Sequence, residues 1–157
     1  MRQNFETNRS IEHVLLLARN LFELREYKKC SYVLKEHLSR NEDDQSLIFY
    51  YYYSIWMAGL IRKEEEIYET EAVNTMVNRA PIHCEIQLLE REFKKLYEKG
   101  RLTSGINLYL YGLVLKEQER KEDARRLFIQ ALNVFPCFWS CWIELCRIIE
   151  SEDLVHF

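Results

Sequence analysis

The residues with the best chemical credentials in this chain are five cysteines, four histidines and a run of glutamates. Cys137, Cys141 and Cys146 lie close together, but their spacing matches no zinc pattern. Two of them fall on one predicted helix, where a free cysteine packs as a small hydrophobe, so all three are expected in the core. His13, His37, His83 and His156 are isolated, with none at i, i+4 beside a carboxylate, and are expected as surface or packed imidazoles rather than ligands or bases. Glu64, Glu65 and Glu66, with Glu69 and Glu71, lack the glycine-punctuated loop that a calcium site needs and read as a solvated face. No glycine-rich phosphate loop, nucleophile elbow or activating dyad is present. The expectation is no enzyme, with no catalytic residue, no metal and no cofactor.

Positioning, then, is what the chain offers. Its 157 residues fit one domain, and 48% hydrophobic against 30% charged residues supports a sizeable core. With 22 basic against 25 acidic residues, the net charge of −3 leaves no basic face for nucleic acid. The longest apolar run, Leu47 to Ile61, is shorter than the roughly 20 residues a membrane helix needs and carries four tyrosines, so no membrane partner is expected. Val14 to Ala18 is too short for a secretory core, and an odd cysteine count without C-x-x-C spacing fits reduced, intracellular thiols. Four glycines and two prolines favour helices over turn-rich strands.

A repeat of about 34 residues decides the fold class. Counting Gly105 as position 1, Leu108, Tyr111, Gly112 and Leu115 take positions 4, 7, 8 and 11; Ala124, Phe128, Ala131 and Pro136 take 20, 24, 27 and 32. This order resembles the tetratricopeptide-repeat (TPR) signature: an all-α solenoid of antiparallel helix pairs A and B. Small residues belong where backbones approach closely, and the proline stops helix B. The charged stretch Lys116 to Lys121 supplies the turn. Adding 34 places Trp142, Leu145, Cys146 and Ile149 in the same slots of a following, partial repeat.

A weaker copy opens the chain: Val14, Leu17, Ala18 and Leu21 fill helix A slots, Tyr27 opens helix B, and Cys30, Leu34 and His37 follow. Ile48, Tyr51, Tyr52 and Ile55 fall in register for a second helix A. Tyrosines and β-branched residues in Ser46 to Trp56 favour strand, but the register predicts helix. Residues 62–85 are expected as an exposed insert, loop or irregular helix, before Glu85 to Lys99 regains a helical period. The predicted layout is one TPR domain over 1–157, with repeats near 11–44, 45–99, 105–138 and a partial 139–157. Ser151 to Phe157 is expected to supply no helix, which reads as a fragment of a longer array.

The C-terminal third is more specific. Leu108-Tyr109-Leu110-Tyr111-Gly112, then Ala124, Phe128 and Pro136, then Trp139-Ser140-Cys141-Trp142-Ile143-Glu144-Leu145-Cys146, resembles the subunit-eight family of the anaphase-promoting complex, the ubiquitin ligase of mitosis. The resemblance is sharp over 104–150, general over 11–60 and absent over 62–85. It implies a non-enzymatic TPR scaffold in nucleus and cytoplasm, partnered by other subunits of that complex and by itself through this N-terminal domain.

In a TPR solenoid, helix A positions 2, 5 and 9 line the concave face. Here these are Glu12, Leu15 and Arg19; Ser46, Phe49 and Tyr53; and Ile106, Tyr109 and Leu113. A co-chaperone-type peptide receptor, the alternative reading, needs lysine, arginine and asparagine at such positions. Phe49, Tyr53, Ile106, Tyr109 and Leu113 offer apolar anchors instead. With the family resemblance, this predicts a symmetric homodimer whose grooves receive the N-terminal helices of the partner, Leu15 and Leu16 lying on the inserted face.

Overall fold

The computed structural model describes residues 2–73 and 85–153, with side chains over 11–69 and 85–150. Among the described residues there are seven α-helices and no strand. They are α1 (Arg2–Glu23), α2 (Tyr27–Arg40), α3 (Gln45–Val73), α4 (Ile86–Glu98), α5 (Gly105–Glu117), α6 (Lys121–Val134) and α7 (Trp139–Asp153). The chain falls into two compact units, Met1–Gln87 and Leu88–Phe157.

In the first unit α1 pairs with α2, and both pack on α3. Ala18 and Cys30 are fully buried where α1 meets α2, and the Cys30 thiol donates to the Ala18 carbonyl at 3.4 Å. Leu34 and Leu47 complete that core, with Ile11, Val14, Leu15, Leu21 and Phe22 packed around it. The tyrosine-rich stretch is helical because Asp44 caps it: its Oδ1 accepts from the Ser46 and Leu47 amides at 2.9 and 3.0 Å. Burial then overrides strand propensity, with Leu47, Ile48, Tyr52 and Trp56 all inside.

In the second unit α5 and α6 form the tightest pair and α7 packs on α6. A Cβ on Gly112 would sit 2.7 Å from Phe128 Cδ1, and nearer still to Cε1, so only glycine fits that crossing. Gly105 is similarly close to α6, where a Cβ would lie 2.9 Å from the Ala131 carbonyl oxygen. Ala124, Phe128 and Ala131 are fully buried, as the register predicts. From α4, Phe93 stacks on Tyr111 at 5.5 Å and Tyr97 reaches Gln130 with its hydroxyl at 3.0 Å.

Three of the turns share one chemistry. Arg25, Gly100 and Glu119 each adopt a left-handed conformation, with φ of 59°, 67° and 60°. The next amide in each case returns to a carbonyl five residues back: Glu26 to Leu21, Arg101 to Leu96 and Arg120 to Leu115. This closes the helix C-termini in the Schellman manner.

The structure corrects several expectations. Residues 62–73 are a regular continuation of α3 rather than a loop or irregular helix, because nothing between Ile61 and Val73 interrupts a glutamate-rich stretch. The rest of the expected insert, 74–84, lies outside the described residues. Ser151 to Asp153 continue α7. Leu17, placed in a core slot by the register, is 46% exposed because α1 turns the Ala18 side inward. Of the cysteine trio only Cys141 is buried; Cys137 and Cys146 are exposed, the first in the turn after Pro136 and the second on the outer face of α7.

Candidate interface residues

Each unit carries its own share of the expected anchors. In the first, Tyr53 is sandwiched between Phe22 and Phe49, with ring centroids 5.1 and 5.0 Å away and near-parallel planes. Phe22 also meets Tyr27 and Tyr50 edge-on at 4.8 and 6.3 Å. Phe49 and Tyr53 both stay half-buried. Burial, with the Tyr27 charge second, pushes the Tyr53 phenol above its ordinary value of 10.0; it stays neutral at physiological pH.

In the second unit Tyr109 lies edge-on to Phe138 at 4.7 Å and tilted on Phe128 at 5.7 Å. Ile106, Tyr109 and Leu113 are all half-buried, while their neighbours Leu108, Leu110 and Val114 are inside. The structure thus groups Phe49 with Tyr53, and Ile106 with Tyr109 and Leu113. It separates Leu15 from Leu16: Leu15 packs against the first core, whereas Leu16 is 65% exposed.

Two apolar surfaces go beyond the sequence reading, which names only Leu16 among their residues for the interface. Leu16, Leu17 and Leu24 form an outward stripe on and just past α1, opposite the stripe that packs inward. The helical spacing of Leu16, Leu17 and Leu24 was the available signal, hidden because Leu17 was assigned to the core. On α7, Trp139, Trp142, Ile143 and Ile149 are exposed.

The charged residues serve packing. Glu144, nearly buried, accepts from Lys116 of α5 and from Arg147 at 2.7 Å, tying α5 to α7. Arg120 bridges Asp123 at 2.7 Å and Glu90 at 3.2 Å. Glu64, Glu65 and Glu69 are exposed on α3, His13 is exposed on α1 and His37 half-buried on α2. His83 and His156 lie outside the described residues. Among the described residues no histidine, cysteine and carboxylate group could hold a metal ion, and no helix is long and apolar enough to cross a membrane.

Paired antiparallel helices, small residues at each crossing and aromatic side chains left half-open define an all-α protein of the tetratricopeptide-repeat class. The model of the family "Anaphase promoting complex subunit 8 / Cdc23" matches residues 2–156, and the chain belongs to that family. Anaphase-promoting complex subunit 8 of Arabidopsis thaliana is 34% identical over 143 residues, covering 91% of this chain and 23% of that protein. The cell division cycle protein 23 homolog of Homo sapiens is 26% identical over 141 residues, covering 90% of this chain and 22% of its own. Subunit 8 of Dictyostelium discoideum is 27% identical over 181 residues, covering 89% and 30%. The chain therefore spans less than a third of the length of these relatives.

Proposed function

We propose that this chain is a non-catalytic scaffold domain of an anaphase-promoting complex subunit, self-associating as a symmetric homodimer and acting in mitotic cell-cycle control in nucleus and cytoplasm. Family membership supports the place in the complex. The observation that carries self-association is the second apolar stripe of α1: Leu16 at 65% and Leu24 at 71% exposed, with Leu17 beside them, opposite a face already packed. A solvent-facing leucine stripe on a helix that needs none for its own fold fits an interface.

In this arrangement α1 of each protomer seats its outer stripe on the partner's half-open aromatic residues. Phe49 and Tyr53 in one unit, and Ile106, Tyr109 and Leu113 in the other, are the anchors; Leu16 is the inserted residue, with Leu15 behind it. A two-fold contact is self-complementary, so each chain supplies both the inserted helix and the anchors that receive its partner's. An obligate interface of this kind buries on the order of 2,000 Å² or more.

Leu16→Glu tests it cleanly, because an exposed position tolerates the charge in the isolated fold. Light scattering should give the mass of one chain for Leu16→Glu and for Tyr53→Glu, and of two chains for wild type. Thermal melts check that Leu16→Glu remains folded. A dimer mass retained by Leu16→Glu would remove α1 from the interface.

A further inference from the structure

Helix α3 runs on after its core contacts stop. Its buried residues end at Gly59, and from Leu60 to Glu69 every side chain is half-buried or exposed. Arg62 still pairs with Glu85 at 2.8 Å. Beyond it Ile67 is 37% exposed and Tyr68 is 72% exposed, close to the helix end at Val73. A helix end without buried apolar contacts opens at little cost, because only local bonds hold it.

Tyr68 stands apart from the other tyrosines. Those in the first half of α3 are buried or half-buried, as are Tyr27, Tyr109 and Tyr111. Tyr32 is more open, at 82%, but it lies among Lys28, Lys29 and Lys35. Tyr97 donates its hydroxyl to Gln130 and sits in a run that carries Lys94, Lys95 and Lys99. Tyr68 combines an open phenol with acidic flanks. Glu64, Glu65 and Glu66 come before it, Ile67 is its immediate neighbour, and Glu69 and Glu71 follow in sequence.

We infer that Tyr68 is a phosphorylation site for tyrosine kinases that read acidic sequence, and that its phosphate unwinds the end of α3. Such an enzyme takes its substrate as an extended segment and sets basic side chains against the acidic flanks. The unpacked end of α3 supplies that conformation by opening locally, which the packed tyrosines cannot do. The phenol oxygen attacks the γ-phosphorus of ATP. The bond from that phosphorus to the β-bridging oxygen breaks, ADP leaves, and the phenol proton passes to the kinase's own base. The product places about two negative charges at the position four residues after Glu64 and three after Glu65. Like charges at those helical spacings repel, and the C-terminal end of a helix disfavours added negative charge. The helix therefore shortens towards Arg62.

The folded 157-residue chain is treated with ATP and a tyrosine kinase domain already active on a glutamate–tyrosine copolymer. Phosphate is mapped by mass spectrometry. The expected result is phosphate on Tyr68 at a rate at least tenfold above Tyr32, and its loss in Tyr68→Phe. Glu64→Gln, Glu65→Gln and Glu66→Gln together should slow the reaction at least fivefold; glutamine is as good a helix former as glutamate, and matched thermal melts check the fold. Amide hydrogen exchange over residues 62–73 should be at least tenfold faster in the phosphorylated chain, with α5 and α6 unchanged. Tyr32 labelled as fast as Tyr68, or Tyr68 left bare while the copolymer reacts, overturns the site. An unchanged rate in the triple glutamine variant overturns the reading of the acidic flanks. Unchanged exchange over 62–73 in the phosphorylated chain overturns the unwinding.

Discussion

The Cys141 thiol shows how far burial governs single residues here. It is fully buried, donates to the Phe128 carbonyl at 3.4 Å, and is pushed from 9.0 up to about 11, by burial first and by the nearby Glu144 charge second. In the unfolded chain this thiol ionises near pH 9, whereas in the folded chain it keeps its proton to about 11. The unfolded state therefore binds fewer protons across that window, and stability is full below pH 9 and falls as pH rises towards 11. Burial also raises Cys30, Tyr53 and Tyr111, which act in the same direction. Denaturant midpoints measured from pH 8 to 11 should fall, and less steeply in Cys141→Ala. Two other residues carry strain that can be relieved. Arg25 and Glu119 sit at φ near +60° in helix-ending turns, where a side chain is disfavoured. Arg25→Gly and Glu119→Gly should each raise stability by about 0.5–1 kcal/mol, read from urea midpoints. The Lys116 to Lys121 turn was legible, but the left-handed conformation of Arg25 and Glu119 was not, because neither residue type favours it.

Among elements, the α5–α6 pair is the part that sequence reasoning reached best. Leu108, Tyr111, Gly112, Leu115, Ala124, Phe128 and Ala131 are all buried, because each occupies a slot whose size is dictated by the neighbouring helix. Gly112→Leu should overpack the Phe128 ring, which is fully buried and has nowhere to retreat, and cost about 1–3 kcal/mol in a thermal or urea melt. An unchanged melt would mean the crossing is looser than its geometry. Elements with weaker small-residue markers were read less well. α3 outran its expected end by a full dozen residues, since charge density was taken for a loop signal when glutamate and lysine are good helix formers. α1 was assigned a core-facing Leu17 because a helix with apolar residues on two sides does not declare which side packs. α7 was expected to bury Cys146 and Ile149, and leaves both open.

For the whole molecule, family and fold class were legible from the TPR slots and the Tyr-Leu-Tyr-Gly and Trp-Ser-Cys-Trp stretches. The division into units Met1–Gln87 and Leu88–Phe157 was not, because repeat spacing says nothing about where contacts thin out. The exposure of the proposed anchors was only partly legible. Position rules singled out Phe49, Tyr53, Ile106, Tyr109 and Leu113, which the structure leaves half-buried, whereas the joint exposure of Leu16, Leu17 and Leu24 shows only in the fold. Self-association is the claim on which the scaffold reading turns, and sedimentation velocity of the wild-type chain over the micromolar range tests it most directly. A single species with twice the mass of the 157-residue chain, independent of dilution to about 1 µM, is the predicted result. A single-chain sedimentation coefficient throughout that range would contradict it.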